Sequence, residues 1–333
     1  MTDNQLTNHG DDELLINSLR AQDWDEFYGQ PLVKKSLRIA IKATQERNEP
    51  LDHILLYGPP GLGKTTLSHL IAKELGSNLK ITSGTALAKA GDLAAILTNL
   101  KDGDVLFIDE IHRLPKAVEE TLYPAMEDFA LDIVIGKGPS ARTVRLDLPK
   151  ITIVGATTRF GLLAAPFRDR FGIVHRLNFY QPEELVHILV KAATKIDILL
   201  DEESSLAIAS RSRGTPRIAL KLLKRVRDYV QVNHHNQVTP EIIMSALEML
   251  SIDKLGLDEN ERQFLEKIIK KHAGGPIGLK TIAATIHEDP GTIEEVLEPY
   301  LLQLGFVKRT SQGRVIAESA YQYLNIKYPD NKK

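Results

Sequence analysis

The sequence contains no cysteine in its 333 residues. Disulfides, thiolate chemistry and cysteine-ligated zinc are therefore excluded, and the composition suits a reducing cytoplasm. No uninterrupted apolar run approaches the ~18 residues that a membrane-spanning helix needs. Charge of one sign is also missing. The 42 basic residues meet 44 acidic ones, a formal net charge of −2, so any nucleic-acid contact must be local. Aromatic residues are sparse at 6%, whereas 43% hydrophobic and 26% charged residues are ordinary values for a globular chain. There is no internal repeat and no low-complexity tract. Met1–Asp12 is polar and acidic, unlike a signal or transit peptide, and residues 1–17 are expected to form a disordered lead-in. The length leaves room for two or three domains with a sizeable core.

Against these absences one stretch stands out, Gly58-Pro59-Pro60-Gly61-Leu62-Gly63-Lys64-Thr65-Thr66. It fits G-x-x-x-x-G-K-[ST], a loop whose backbone N–H groups wrap a polyphosphate. Lys64 supplies a point charge for the β- and γ-phosphates, and the Thr65 hydroxyl can ligate Mg²⁺. The flanks agree: His53–Tyr57 reads as a buried strand and Thr66–Leu75 as an amphipathic helix. That helix would aim its unpaired N–H groups and positive dipole end at the phosphates. A nucleoside triphosphate is the expected ligand.

Further along, Asp104-Val105-Leu106-Phe107-Ile108-Asp109-Glu110 is an apolar run ending in adjacent carboxylates. A continuous apolar run suits a parallel strand covered on both faces, and ligands sit at the carboxyl edge of such sheets. Asp109 is placed to hold Mg²⁺ and Glu110 to polarise an attacking water. Ile151–Arg159 is another buried strand, and a threonine at its end can hydrogen-bond that water. Arginines of the Arg168-Asp169-Arg170-Phe171 segment have the chemistry to stabilise a phosphoryl-transfer transition state, although arginines so spaced are also common as surface ion pairs. Leu131–Ile135 and Thr143–Leu148 bracket a Gly-rich turn and read as an inserted β-hairpin over about residues 131–148. Ile133 and Ile135 on it either cover the hairpin's own core or offer an apolar edge to a partner. The segment Ser18–Gln30 mixes aromatics with acids; it packs a core or holds a base.

From Gln181 the pattern becomes helical, with helices over about Glu184–Lys195, Asp201–Arg211, Pro216–Val230 and Pro240–Leu250. Arg217 opens the third, where it can face a nucleotide. After a linker near residues 253–259, helices over Glu261–Lys271, Leu279–Ile286 and Thr292–Leu302 precede two short strands, Phe306–Arg309 and Arg314–Ile316. Three helices and a hairpin make a winged helix. From Leu255 onward 11 basic residues balance 11 acidic ones, so DNA contacts would be few and confined to the basic wing residues, including Arg309 and Arg314.

Taken in order, these motifs resemble the AAA+ ATPases, and within them the ring-forming motors that migrate four-way DNA junctions. The likeness runs from Ser18 to Tyr328 and includes Ala90-Gly91-Asp92-Leu93, Tyr123-Pro124-Ala125-Met126-Glu127-Asp128-Phe129, Gly155-Ala156-Thr157-Thr158-Arg159 and Arg213-Gly214-Thr215-Pro216-Arg217. The resemblance implies a large ATPase domain (18–180), a small helical lid (181–252) and a winged-helix head (256–333). It implies ATP and Mg²⁺ as cofactors, with Gly61, Lys64, Thr65 and Thr66 on the phosphates and metal, Asp109 and Glu110 serving metal and water, and Thr158 sensing the γ-phosphate. Arg170 matches a finger given to the next subunit, and Arg217 an arginine of the lid that reads the nucleotide. Leu19, Arg20, Tyr180, Glu127, Asp128 and Phe129 match positions lining the nucleotide, and Arg309 and Arg314 match DNA-contacting residues. Implied partners are a homohexamer around duplex DNA, a junction-binding protein of the RuvA kind docked on the Ile133/Ile135 hairpin, and a resolvase of the RuvC kind. Ala21 departs from the proline common there in such proteins. A clamp-loader-type ATPase switch is the rival reading, and the expected C-terminal wing argues against it.

Overall fold

The computed structural model describes residues 17–135, 142–233 and 238–329; side chains at 133–135, 142 and 143 also lie outside the description. All but the last residue of the expected lead-in falls outside it, as do the hairpin tip and the side chains of Ile133 and Ile135. The chain forms two compact units. One takes the chain up to Ala209 together with Gly214–Lys224; the other takes Ser210–Arg213 together with everything from Arg225.

The first unit is built on five parallel strands: β1 (Ile54–Tyr57), β2 (Leu79–Ser83) and β3 (Val105–Asp109), then, past a separate pair, β6 (Thr152–Thr157) and β7 (Ile173–Arg176). The separate pair is β4 (Ala130–Ile135) and β5 (Arg142–Asp147), an antiparallel hairpin outside the main sheet. Sheet order is β2-β3-β6-β1-β7. Every residue of β6 is buried, as are the first four of β3, so the apolar runs of the sequence are strands covered on both faces. Helix Pro31–Arg47 precedes β1, and helices Lys64–Leu75, Ala90–Leu97 and Lys116–Glu127 follow β1, β2 and β3. The core cluster includes Leu106, Ile108, Val118, Leu122, Ile153 and Phe167. On β5, Val144 and Leu146 are exposed apolar residues, and Val144 is in register with Ile133. Helix Pro182–Thr194 starts at a capping box in which Gln181 N donates to the Glu184 carboxylate at 2.9 Å.

In the second unit, helix Glu259–His272 begins with the reciprocal box of Asp258 and Glu261. Its apolar face, with Phe264, Leu265 and Ile268, packs with Ile282, Leu301, Phe306 and Ile316 into one cluster. Strands β8 (Val307–Thr310) and β9 (Gly313–Ile316) form the wing, and Ile277 bridges to Arg314. This is the expected winged helix. The helix expected over Thr292–Leu302 is present and runs continuously to Gln303, with a π-type stretch at Ile293–Leu297 before Glu298–Gln303. Pro299 accounts for the π-type stretch: it lacks the N–H for the usual bond and its ring crowds the carbonyl four residues back. Glu261 is fully buried and paired with Arg213, both bonds at 2.8 Å; removing one partner of such a pair costs about 3–5 kcal/mol. Among the described residues no helix is long and apolar enough to cross a membrane.

His53 fastens the first unit just before β1. Its Nδ1 accepts from Ile153 N at 3.0 Å, which leaves Nε2 to donate to Met126 O at 3.0 Å. Burial holds its pKa below the ordinary imidazole value, only partly opposed by the Met126 bond and by Asp52. The folded state therefore binds fewer protons here than the unfolded chain, and the stability from this group is present above the ordinary value and lost as pH falls through the folded one. Thermal melts should show stability declining from about pH 7.5 to about pH 5.5, with His53→Gln removing up to about one proton from that dependence.

Candidate nucleotide and DNA sites

The parallel register brings the carboxyl ends of three strands to one edge. Tyr57 of β1 is level with Thr157 of β6, and Ile108 of β3 with Gly155. The phosphate loop leaves β1 there, the two carboxylates end β3, and Thr158 follows β6. Gly58 must be glycine, since with φ +142° a Cβ would stand 2.5 Å from Leu177 O. At Gly61 (φ +80°) a Cβ would meet the Arg217 Cβ at 2.9 Å, and Arg217 N donates to Gly61 O at 3.3 Å. The loop and the start of the helix Pro216–Asn233 are thus in direct contact.

A polar groove is lined by Arg20, Gly61, Lys64, Thr65, Thr66, Asp109, Glu110 and Arg217. Lys64 is buried, and its Nζ donates to Gly58 O (2.9 Å) and Pro59 O (3.0 Å). Burial lowers its pKa, and the charges of Asp109 and Glu110 oppose that shift. Beside it lies a more apolar pocket lined by Leu19, Arg20, Phe27, Thr66, Tyr180 and Leu220 among others. The buried Tyr180 donates its hydroxyl to Leu62 O at 3.3 Å, tying this wall to the phosphate loop. An apolar slot joined to a cationic groove accommodates a flat base with a polyphosphate. Ala21 lines the slot beside Arg20.

Glu110 is fixed from two sides. Its backbone is left-handed (φ +44°), and Thr158 Oγ1 donates to its carboxylate at 3.1 Å. His112 Nδ1 lies 3.1 Å from Glu110 Oε2 and 2.9 Å from Thr157 Oγ1. The first is a charge contact; the hydrogen bond of Nδ1 is the one shared with Thr157 Oγ1. Burial, ahead of the opposing pull of Glu110, lowers the His112 pKa. His112 was missed from the sequence; its one signal is a histidine two residues past Glu110, where the turn Ile111–Arg113 folds it back. Asp109 Oδ1 accepts from Glu110 N at 2.9 Å and faces Thr65 across the groove. The two supply hard oxygen donors of the kind Mg²⁺ takes alongside phosphates and water.

Not every expected residue gathers here. Among the described residues, Arg170, Glu127, Asp128 and Phe129 do not line the groove or the slot. Arg170 pairs with Glu127 at 3.2 Å, donates to Pro166 O and lies 4.1 Å over the Tyr123 ring. Its buried Nε has no hydrogen-bond partner. Asp128 pairs with Arg145 at 2.6 Å, and Phe129 (φ +50°) packs edge-on to His53. In the second unit, Arg309 and Arg314 face each other across the wing. Both bind the fully buried Glu298: Arg309 through Nη2 at 2.6 Å and Arg314 through Nε at 2.7 Å. Arg314 also reaches Glu294 at 2.7 Å. Of the two, the Arg309 side chain is half exposed and that of Arg314 only 15% exposed.

Comparison with known proteins agrees with this geometry. Residues 19–177 match the P-loop domain of the Holliday junction DNA helicase RuvB, residues 180–253 the RuvB AAA lid domain, and residues 254–325 the RuvB C-terminal winged helix domain. The solved structure of the Thermotoga maritima RuvB Holliday junction branch migration motor is 50% identical. It superposes with a TM-score of 0.83 over 93% of this chain and 99% of that one. The K64R variant of the same protein, also 50% identical, superposes at 0.84 over 94% and 100%, and its R170A variant at 0.83 over 93% and 99%. The match through the winged helix removes the clamp-loader alternative. The chain belongs to the RuvB family, the AAA+ ATPases that drive Holliday junction branch migration in DNA recombination and repair.

Proposed function

We propose that the groove binds ATP with Mg²⁺ and that six copies of the chain form a ring around duplex DNA in the cytoplasm. The observation that carries the reading is the convergence of Lys64, Thr65, Asp109 and Glu110 on one groove beside an apolar slot. Lys64 and the loop amides hold the β- and γ-phosphates, Thr65 and Asp109 hold the metal, and Thr66 and Arg20 line the way to the base between Leu19 and Tyr180. Bound there, Mg²⁺ would offset phosphate charge. Glu110 orients the attacking water, with Thr158 holding its carboxylate and His112 beside it, and Thr158 senses the γ-phosphate. Arg217, against Gly61, reports the nucleotide to the lid.

Arg170 acts on the nucleotide of the neighbouring subunit. Its pairing with Glu127, away from its own groove, supports this, and puts the Glu127-Asp128-Phe129 turn on the same face. The exposed Val144 and Leu146 of the hairpin support docking of a RuvA-like junction-binding protein there, with Ile133 and Ile135 in the same contact. A RuvC-like resolvase joins the larger complex. Arg309 and Arg314 contact DNA phosphates, Arg309 foremost because it is the more exposed. The functional segments are 18–180, 181–252 and 256–333.

The deciding assay measures ATP hydrolysis and migration of a synthetic four-way junction, with and without the junction-binding partner. Arg170→Ala should lower hydrolysis by roughly 10³-fold while ATP binding persists. Mixing it with Lys64→Ala subunits should restore part of the activity, and no rescue in mixed rings would count against action in trans. His112→Phe, which removes the hydrogen bond to Thr157 and the polar contact 3.1 Å from the Glu110 carboxylate, should lower kcat by roughly tenfold with KM for ATP nearly unchanged, since a side-chain hydrogen bond is worth about 0.5–1.5 kcal/mol. Reversing the wing charges would set new carboxylates against buried Glu298, so the neutral Arg309→Gln is the cleaner probe. It should weaken duplex binding regardless of sequence and reduce the salt slope by about one; an unchanged slope would remove Arg309 from the interface.

A further inference from the structure

The turn Arg213-Gly214-Thr215-Pro216-Arg217 enters the reading above only through its last residue. Its first residue is engaged quite differently. The Arg213 guanidinium makes two parallel bonds to Glu261, Nη1 to Oε1 and Nη2 to Oε2, each at 2.8 Å. Its Nε donates to Gly256 O at 3.0 Å, and the group lies 4.7 Å over the Tyr300 ring. Tyr300 in turn donates its hydroxyl to Leu255 O at 2.5 Å. Glu261 is fully buried in the first turn of the helix Glu259–His272, where its carboxylate also accepts from Asp258 N. Arg213 is thus clamped to the winged-helix unit by a carboxylate, a carbonyl and an aromatic face.

One residue later the chain belongs to the other unit. Gly214 O accepts from Tyr180 N at 2.8 Å, and Arg217 N donates to Gly61 O of the phosphate loop. Little slack remains in the turn. Arg213 (φ +54°) and Gly214 (φ +66°) are both left-handed, a Cβ on Gly214 would press on Phe179 at 3.0 Å, and Pro216 has a ring-fixed φ. A bidentate, stacked site also demands arginine, because a lysine cannot reproduce the planar fork.

We propose that Arg213 is a positioning residue that couples nucleotide state to the winged helix, by anchoring one end of this short turn in Glu261 while the phosphate loop holds the other. The inference rests on the reading of Gly61 and Arg217 as nucleotide-facing. A displacement of the turn at Arg217 then reaches the helix Glu259–His272 through the guanidinium rather than being absorbed by a loose linker.

The test measures base pairs migrated per ATP hydrolysed by the full chain with its partner on a four-way junction, for wild type, Arg213→Gln and Arg213→Lys. Arg213→Gln should keep ATP affinity within about twofold and retain hydrolysis, while the migration-to-hydrolysis ratio falls at least about tenfold, with Arg213→Lys between the two. Simple loss of folded protein lowers migration and hydrolysis together and leaves their ratio unchanged. An unchanged ratio in both variants overturns the proposal. Arg217→Ala separates the two readings: if it leaves ATP binding and hydrolysis untouched, the nucleotide-facing role of Arg217 fails whatever Arg213 does.

Discussion

The position of β6 between β1 and β3 is the constraint on which the rest of the first unit depends. Because all three strands are parallel and in register, their carboxyl ends share one edge. The phosphate loop, the acid pair and Thr158 come from stretches separated by about fifty residues of chain each, yet that register sets them side by side. Burial of β6 on both faces makes it costly to shift, since sliding a strand would unpair backbone groups with no water to replace them. His53 adds a fixed point by bonding both β6 and the helix Lys116–Glu127. The geometry of the groove is therefore a property of the core.

Electrostatics in the groove follows from that rigidity. A buried ammonium is expensive; at Lys64 carbonyls of its own loop stand in for water, and the charges of Asp109 and Glu110 oppose the lowering of its pKa by burial. Glu110 is spared a search for its orientation by its own left-handed backbone and the Thr158 bond. Groups held in place before the reaction cost no reorganisation when charge develops, which is where preorganised sites gain most of their advantage.

Much of this was legible in the sequence. The loop, the apolar run into Asp109-Glu110, and the hairpin that makes the wing each depend on residues close in the chain, so spacing and periodicity reveal them. What escaped depends on long-range packing or on backbone detail. His112 acquires its place only because Glu110 turns left-handed. The Arg170–Glu127 pair joins residues that no period relates. The π-type stretch at Ile293–Leu297 comes from Pro299, a helix-breaking residue inside an otherwise helical pattern. Even the winged helix, correctly expected, hid the neutralisation of its arginines, because Glu298 meets them only through the cross-strand register of β8 and β9.

That neutralisation bears on how a motor should hold its track. Two wing arginines and two carboxylates, Glu294 and Glu298, nearly cancel in charge. A guanidinium already satisfied by a buried carboxylate gains less from a phosphate than a solvated one does, because part of its hydrogen-bonding capacity is committed. On the proposed reading, affinity for the DNA backbone through such a wing is modest, and weakly held phosphates are released readily. Glu298 at the same time fixes the direction of both arginines, so what the wing loses in attraction it keeps in geometry. On the proposed reading, that balance suits a subunit that must let go of the duplex in every cycle: the buried acid orders the two cations, and the more exposed Arg309 makes the contact.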